Sequence, residues 1–163
     1  MRLYVMRHGP AEDRSPTGRD FDRALTPAGR EVVERAARAL AEARGAAPLR
    51  VLASPFVRAW QTAELVASAL GAGEPERDDD LGADAGVPLG VVRAVRAAGV
   101  DAVLVGHQPF VEELVRVLAH PAPVSGGASG VRGFRTATIA SLAHAGDDRW
   151  RLEAVIDPHG LER

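Results

Sequence analysis

Near its start the chain reads Leu3-Tyr4-Val5-Met6-Arg7-His8-Gly9, an apolar run that passes directly into a cationic tripeptide. A short continuous apolar run of this kind is typical of a buried strand in a parallel sheet. His8 is therefore predicted at the carboxyl end of a strand. Its imidazole is suited to attack phosphorus, the Arg7 guanidinium to bind phosphoryl oxygens, and Gly9 to let a crowded backbone turn beneath them.

Two later segments follow apolar runs in the same way, namely Ser54-Pro55-Phe56-Val57-Arg58-Ala59-Trp60-Gln61-Thr62-Ala63 and Val105-Gly106-His107-Gln108-Pro109. Arg58 offers a planar fork of donors for phosphoryl oxygens, and its place near a helix start favours an anion there. His107 is a second imidazole, expected to donate to a phosphoryl group and to be cationic once that group is bound. In an open α/β sheet, ligands bind outside the carboxyl ends of the strands. We therefore expect Arg7, His8, Arg58 and His107 to converge.

Apolar periodicity predicts alternating strands and helices along the chain. Thr26 and Pro27 are N-cap and first-turn signals of a helix that ends near Gly45, and Ser54-Pro55 repeats that signal for a helix reaching Gly71. The other predicted helices cover residues 89–98 and 110–118. Strands are predicted at residues 3–6, 50–53, 102–105, 136–143 and 150–156, and irregular stretches at residues 9–24, 71–88 and 121–133.

This alternation predicts a three-layer α/β/α sandwich with a mainly parallel sheet, an antiparallel edge formed by the last two strands, and a minimal cap. Residues 1–163 are expected to form one domain, because the chain is of ordinary domain size and shows no repeat or linker. Phe56 and Trp60 are interpreted as core residues.

The composition excludes several functions. The absence of cysteine rules out cysteine-dependent phosphatases and thiolate metal sites. All 20 basic residues are arginine, so no Walker-type lysine is present, and the formal charge of −2 with interspersed signs argues against nucleic-acid binding. His120, His144 and His159 have no metal-ligand spacing. Without a long apolar segment or a leader we expect no membrane association and a cytoplasmic protein.

The three segments, in this order, resemble the motifs of the histidine phosphatase superfamily, the phosphoglycerate-mutase-like enzymes. The short chain is most similar to the SixA group of phosphohistidine phosphatases. The resemblance extends from Met1 to about Ala143 and includes Arg23-Ala24-Leu25-Thr26-Pro27-Ala28-Gly29-Arg30, which is similar to that family's R-P-L-T-x-x-G-R. It places Arg23 at the phosphate site. If Arg23 acts there, we expect its loop to order only when phosphate is bound. Arg19 is a second loop candidate without a motif.

The resemblance implies a phosphatase that uses no metal or cofactor and forms a covalent phosphohistidine on His8. Arg7, Arg58, His107 and Arg23 would stabilise the transferring phosphoryl group. The substrate it implies is a phosphohistidine protein, such as a phosphotransfer domain of a bacterial signalling pathway. The alternatives are a small-molecule phosphomonoesterase and, from another class, a non-catalytic phosphate-binding interaction module.

The general acid is the least defined element of the predicted site. Asp84, in Gly82-Ala83-Asp84, resembles a G-A-D segment of SixA-like chains and is the candidate acid, whereas Asp78-Asp79-Asp80 is interpreted as a solvated turn. Relatives often have an acidic residue directly after the R-H-G tripeptide, where this chain has Pro10. The lack of a strong acid fits a phosphohistidine substrate, because a protonated imidazole leaves more readily than an alkoxide.

Overall fold

The computed structural model describes residues 1–119 and 133–161 of the chain. Within them, strands and helices alternate as the sequence predicts. The elements are, in chain order, β1 (Arg2–Arg7), α1 (Pro27–Arg44), β2 (Leu49–Ala53), α2 (Val57–Leu70), β3 (Glu76–Arg77), α3 (Leu89–Ala98), β4 (Asp101–Gly106), α4 (Phe110–Leu118), β5 (Ile139–His144) and β6 (Trp150–Ile156).

The six strands form one sheet in the order β3-β2-β4-β1-β5-β6. The pairs β3–β2, β2–β4 and β4–β1 are parallel, and β5 and β6 add an antiparallel edge. The predicted mainly parallel sheet with an antiparallel edge is therefore confirmed. Because β4 lies between β1 and β2, the carboxyl ends of these three strands are neighbours in space, although far apart in sequence.

Helices cover both faces of the sheet. Successive residues of a strand point to opposite faces, so an apolar strand contributes to a core on each side. Tyr4 and Met6 on β1 pack into a core formed with α1 and α2. Leu3 and Val5 pack into a second core with α3 and α4. The chain is thus an α/β/α sandwich, as its pattern of apolar residues predicts.

The start of α2 corrects one prediction. The helix begins at Val57, its N-cap position is Phe56, and no side chain caps it, so Ser54-Pro55 is not its cap. The Ser54 backbone N–H instead extends the ladder of β2 by donating to the Val105 carbonyl at 3.0 Å. The Ser54 hydroxyl bonds to His107, a partner that local sequence does not reveal. By contrast, Thr26 caps α1 as predicted, accepting from the Gly29 N–H at 2.8 Å.

Smaller differences occur in the irregular stretches. Residues 71–88 contain the two-residue strand β3 and a 3-10 turn, Asp79–Leu81, and residues 9–24 contain the 3-10 turn Asp20–Asp22. Strand β3 was missed because its two charged residues lie exposed at the sheet edge and have no apolar pattern. The strand predicted from residue 136 begins at residue 139, after a turn in which Ala137 has a φ of 62°. Residues 121–132 of the predicted loop, and His120, lie outside the described residues.

Candidate active site

The carboxyl end of β1 holds His8 in a defined orientation. Its ring Nδ1 lies 2.8 Å from the Gly9 carbonyl oxygen, an acceptor, so Nδ1 carries the hydrogen and donates it. A neutral ring then has its lone pair on Nε2. The Gly9 N–H donates to Thr62 Oγ1 on α2 at 3.0 Å. A Cβ at Gly9 would lie 2.4 Å from the Val33 side chain, so only glycine fits this turn.

Arg58 lies in the first turn of α2, one residue after its start, and points its guanidinium at His8. The Arg58 Nε–H donates to His8 Nε2 at 3.3 Å, and Nη2 lies 3.4 Å from His107 Nδ1. Its side chain is only 6% exposed. The ring of Phe56 lies 5.1 Å from the guanidinium carbon, a distance at which cation and aromatic face attract each other. Phe56 thus borders the site and is only partly buried, as is Trp60.

His107 follows β4, and its ring centroid lies 5.0 Å from that of His8. Its Nε2 is 2.7 Å from the Ser54 hydroxyl, while its Nδ1 faces an N–H of Arg58. Since Arg58 has only donors to offer, Nδ1 must accept, and the proton of the neutral ring is on Nε2. Arg58 therefore selects this tautomer, and the completely buried Ser54 hydroxyl accepts from the His107 Nε2–H. Sequence reasoning missed this role of Ser54, although the serine stands in the recognised motif.

Both imidazoles are neutral near pH 7. Burial lowers the pKa of His8 to about 4; the bond to Gly9 opposes this, and the charges of Arg58, Arg7 and Arg23 lower the pKa further. Burial also lowers the pKa of His107 to about 3, with further lowering by His8 and Arg58. The ordinary pKa of an imidazole is about 6.5. Burial keeps the His8 ring neutral at pH 7, so its lone pair is not lost to protonation.

Arg7 and Arg23 complete the cationic group. Arg7, the last residue of β1, donates from Nη1 to the Phe134 carbonyl oxygen at 3.0 Å. Its Nε is buried and has no partner among the described residues. Arg23 donates to the Glu12 carbonyl at 2.6 Å and pairs with Asp20 at 2.7 Å, close enough to His8 to influence its pKa.

Asp20 is the site residue that the sequence did not indicate. Its Oδ1 accepts from Arg23, its Oδ2 accepts from Arg58 at 2.9 Å, and its backbone carbonyl accepts from Arg58 at 2.8 Å. These contacts, with the bond from Arg23 having the largest effect, lower the pKa of the Asp20 carboxyl group. The charge alternation in Arg19-Asp20-Phe21-Asp22-Arg23 was the only signal, and it does not show which acid turns inwards.

The remaining candidates lie apart from this group. Asp84 is exposed and has no hydrogen bond or ion pair within the described part of the chain, so its role as an acid stays a prediction. Arg19 pairs with Asp22 at 2.7 Å rather than with the site. The described residues contain no cluster of three His, Asp or Glu side chains suited to a metal ion, and no helix among them is long and apolar enough to cross a membrane.

Comparisons with known proteins agree with this geometry. Residues 3–86 match the family model of the histidine phosphatase superfamily (branch 1). An uncharacterized protein of a Picosynechococcus strain is 32% identical over 93% of this chain and 95% of its own length. The structure of the protein histidine phosphatase SixA complexed with tungstate aligns with a TM-score of 0.83 and 28% identity, covering 99% of this chain and all of that one.

A protein of Agrobacterium tumefaciens assigned as a phosphohistidine phosphatase SixA aligns with a TM-score of 0.75 and 29% identity, over 96% of this chain and 98% of that chain. Mycobacterial glucosyl-3-phosphoglycerate phosphatase has a TM-score of 0.65 at 21% identity and shares the fold.

Proposed function

Since this chain belongs to the histidine phosphatase superfamily and is of the SixA type, we propose that it dephosphorylates phosphohistidine on a signalling phosphotransfer protein. The chain is a phosphatase. The proposal adds the substrate class and a covalent phosphohistidine intermediate on His8.

The observation that carries the proposal is the environment of His8 Nε2. The Nδ1–H bond to Gly9 places the lone pair of the ring on Nε2, where it accepts the Arg58 Nε–H at 3.3 Å until a phosphoryl group takes over that donor. A nucleophile has to be deprotonated and close to the group that binds the electrophile. A pKa of about 4 keeps the ring neutral at any pH near 7.

The surrounding donors suit a phosphoryl group. The buried Nε–H of Arg7, which lacks a partner within residues 1–119 and 133–161, would be satisfied by a phosphoryl oxygen. Arg58 and Arg23 add two more guanidinium groups, and His107 would donate from Nδ1 after taking up a proton. Phosphoryl transfer is catalysed largely by positioning and charge stabilisation, which arginine provides with two parallel hydrogen bonds.

The reaction would proceed in two displacements. His8 Nε2 attacks phosphorus, the bond between phosphorus and the substrate imidazole breaks, and its electron pair goes to the leaving nitrogen, which takes up a proton. A water oxygen then attacks phosphorus, the bond to His8 breaks, and its electron pair returns to Nε2. Inorganic phosphate is released after the water has lost a proton.

The substrate class is supported by the acids around the site. Asp20 is the carboxylate in contact with Arg58 and Arg23, and the low pKa of its carboxyl group makes it a poor proton donor. A protonated imidazole needs less help to leave than an alkoxide. The similar SixA structures, at 28% and 29% identity, are named for action on phosphohistidine. We also propose that residues 1–163 form one domain, since all six strands join one sheet.

The experiment is a direct comparison of substrates. The purified enzyme is incubated with a histidine-phosphorylated phosphotransfer domain and, separately, with an alkyl phosphomonoester. We expect faster turnover of the phosphohistidine, without loss of activity in chelator and with inhibition by vanadate. Preference for the alkyl phosphomonoester would favour a small-molecule phosphomonoesterase. Binding without turnover would favour a non-catalytic phosphate-binding module.

The intermediate is tested with His8→Ala. Acid quenching destroys phosphohistidine and alkaline quenching preserves it, so labelled enzyme should appear only after the alkaline quench. His8→Ala should abolish both label and turnover, a loss of about 10⁶-fold in comparable nucleophile deletions. His144→Ala is the matched control, because His144 bonds to the Asp147 carbonyl and packs on Trp150, away from the site. Label retained in His8→Ala would refute the proposed intermediate.

A further inference from the structure

Asp20 occupies the face of Arg58 that a phosphoryl group would need. Of the guanidinium nitrogens of Arg58, Nε donates to His8, Nη1 to the Asp20 backbone oxygen, and Nη2 to the Asp20 carboxylate. The second carboxylate oxygen of Asp20 holds Arg23 at 2.7 Å. Two arginines assigned to phosphoryl binding are therefore already bound to an anion supplied by the chain.

The two partners differ in their freedom to move. The Arg58 side chain is 6% exposed and lies in α2, whereas the Asp20 side chain is 55% exposed in a three-residue 3-10 turn. The exposed carboxylate can rotate towards the solvent and stay hydrated. The buried guanidinium cannot be hydrated in this way, so leaving it without an anion is unfavourable. Any exchange of partners at Arg58 therefore proceeds by movement of Asp20.

A phosphoryl group and the Asp20 carboxylate exclude each other. Both accept hydrogen bonds from the same N–H groups. Each N–H group can make only one strong hydrogen bond at a time. Both are also negatively charged, because the arginines keep the Asp20 carboxyl group ionised near pH 7, and like charges at this range repel. Substrate or phosphate can engage Arg58 fully only when Asp20 has moved away.

We infer that Asp20 is a displaceable internal ligand of Arg58 and Arg23, and that it sets how weakly the site binds free phosphate. Only protein molecules in which Asp20 is displaced can bind phosphate. The apparent dissociation constant for phosphate therefore equals the intrinsic constant divided by the fraction of such molecules. Inorganic phosphate bears this cost in full and is released readily as product. A protein substrate that contacts the exposed turn, including Phe21, can offset the cost. The inference rests on the proposed function.

The test is calorimetric titration with inorganic phosphate at pH 7 and low ionic strength. Asp20→Asn keeps the shape and the acceptor oxygen but removes the charge, and should bind phosphate roughly tenfold more tightly than the wild type. Asp22→Asn is the matched control, because Asp22 lies in the same turn but pairs with Arg19 and Thr17. It should change the affinity by less than about twofold, since the Asp22 charge is paired with Arg19 rather than with Arg58 or Arg23.

The outcomes separate this inference from the proposed function. Phosphate binding that is equal or weaker in Asp20→Asn, or equally tightened in both variants, would overturn the inference and leave the phosphoryl site standing. Absence of phosphate binding in all three proteins would overturn both. Thermal unfolding of each variant confirms that the fold is retained, which is expected because Asp20 is exposed.

Discussion

At the scale of single residues, the state of each imidazole depends on one neighbour. The Gly9 carbonyl accepts from His8 Nδ1–H, and the Ser54 hydroxyl accepts from His107 Nε2–H. The lone pair of the His107 ring is therefore on Nδ1, the atom that would take up a proton when a phosphoryl group arrives. That His107 is cationic in the loaded site stays a prediction.

Ser54→Ala tests the role of this hydroxyl. It leaves the buried Nε2–H of His107 without an acceptor, at a cost of about 1–3 kcal/mol, so we expect kcat/KM to fall roughly 10- to 100-fold. The His107 ring should shift towards the Nδ1–H tautomer, which ¹⁵N chemical shifts of the ring report directly. Ser141→Ala, on β5, is the control. An unchanged tautomer together with a lower Tm would show that Ser54 is only structural.

At the scale of elements, α1 supports the chain segment that follows His8. The Thr26 N–H donates to the Pro10 carbonyl at 3.1 Å, directly after the Arg7-His8-Gly9 tripeptide. A Cβ on Gly29, in the first turn of α1, would lie 2.1 Å from that same carbonyl oxygen. This close approach of helix and loop requires glycine.

Gly29→Ala should therefore destabilise the protein by about 1–3 kcal/mol. The added Cβ would clash with the Pro10 backbone, which cannot move aside as easily as a flexible side chain. Gly90→Ala is the matched change, in the first turn of α3, where the nearest atom would be 4.0 Å away. It should stabilise the fold by about 0.5–1 kcal/mol, because alanine is the better helix former. Urea unfolding measures both. Equal effects of the two substitutions would contradict the proposed packing of α1 on the loop.

At the scale of the whole molecule, folding places two histidines where protonation is unfavourable, so stability must depend on pH. The unfolded chain binds protons at these residues below a pH of about 6.5, while the folded chain does so only near pH 4 at His8 and pH 3 at His107. Between these values the unfolded state holds more protons. The free energy of unfolding must therefore fall as the pH falls through this window.

His8 alone should contribute a loss of about 2 kcal/mol between pH 7 and pH 5. Urea unfolding at both pH values should show a smaller loss in His8→Gln than in the wild type. His144→Gln, which lies outside the site, should retain the wild-type difference. A His8→Gln variant with an undiminished pH dependence would show that the burial of His8 does not carry this coupling.

The sequence alone was sufficient for the elements whose signal is local. Helices α3 and α4 and strand β6 have the predicted bounds, because apolar periodicity is a property of neighbouring residues. Each of the three motifs follows a predicted strand. This placement also predicted that Arg7, His8, Arg58 and His107 would lie close together. Their catalytic roles remain proposals.

The tertiary structure alone decided which groups those residues touch. Ser54 has the local signature of a helix cap, yet its hydroxyl serves His107, 53 residues away, because β2 and β4 are neighbours in the sheet. Asp20 is one of several acids in a polar loop, and only the packing of that loop over α2 brings it to Arg58. Likewise, the low pKa of both imidazoles arises from burial, which depends on chain segments distant in sequence.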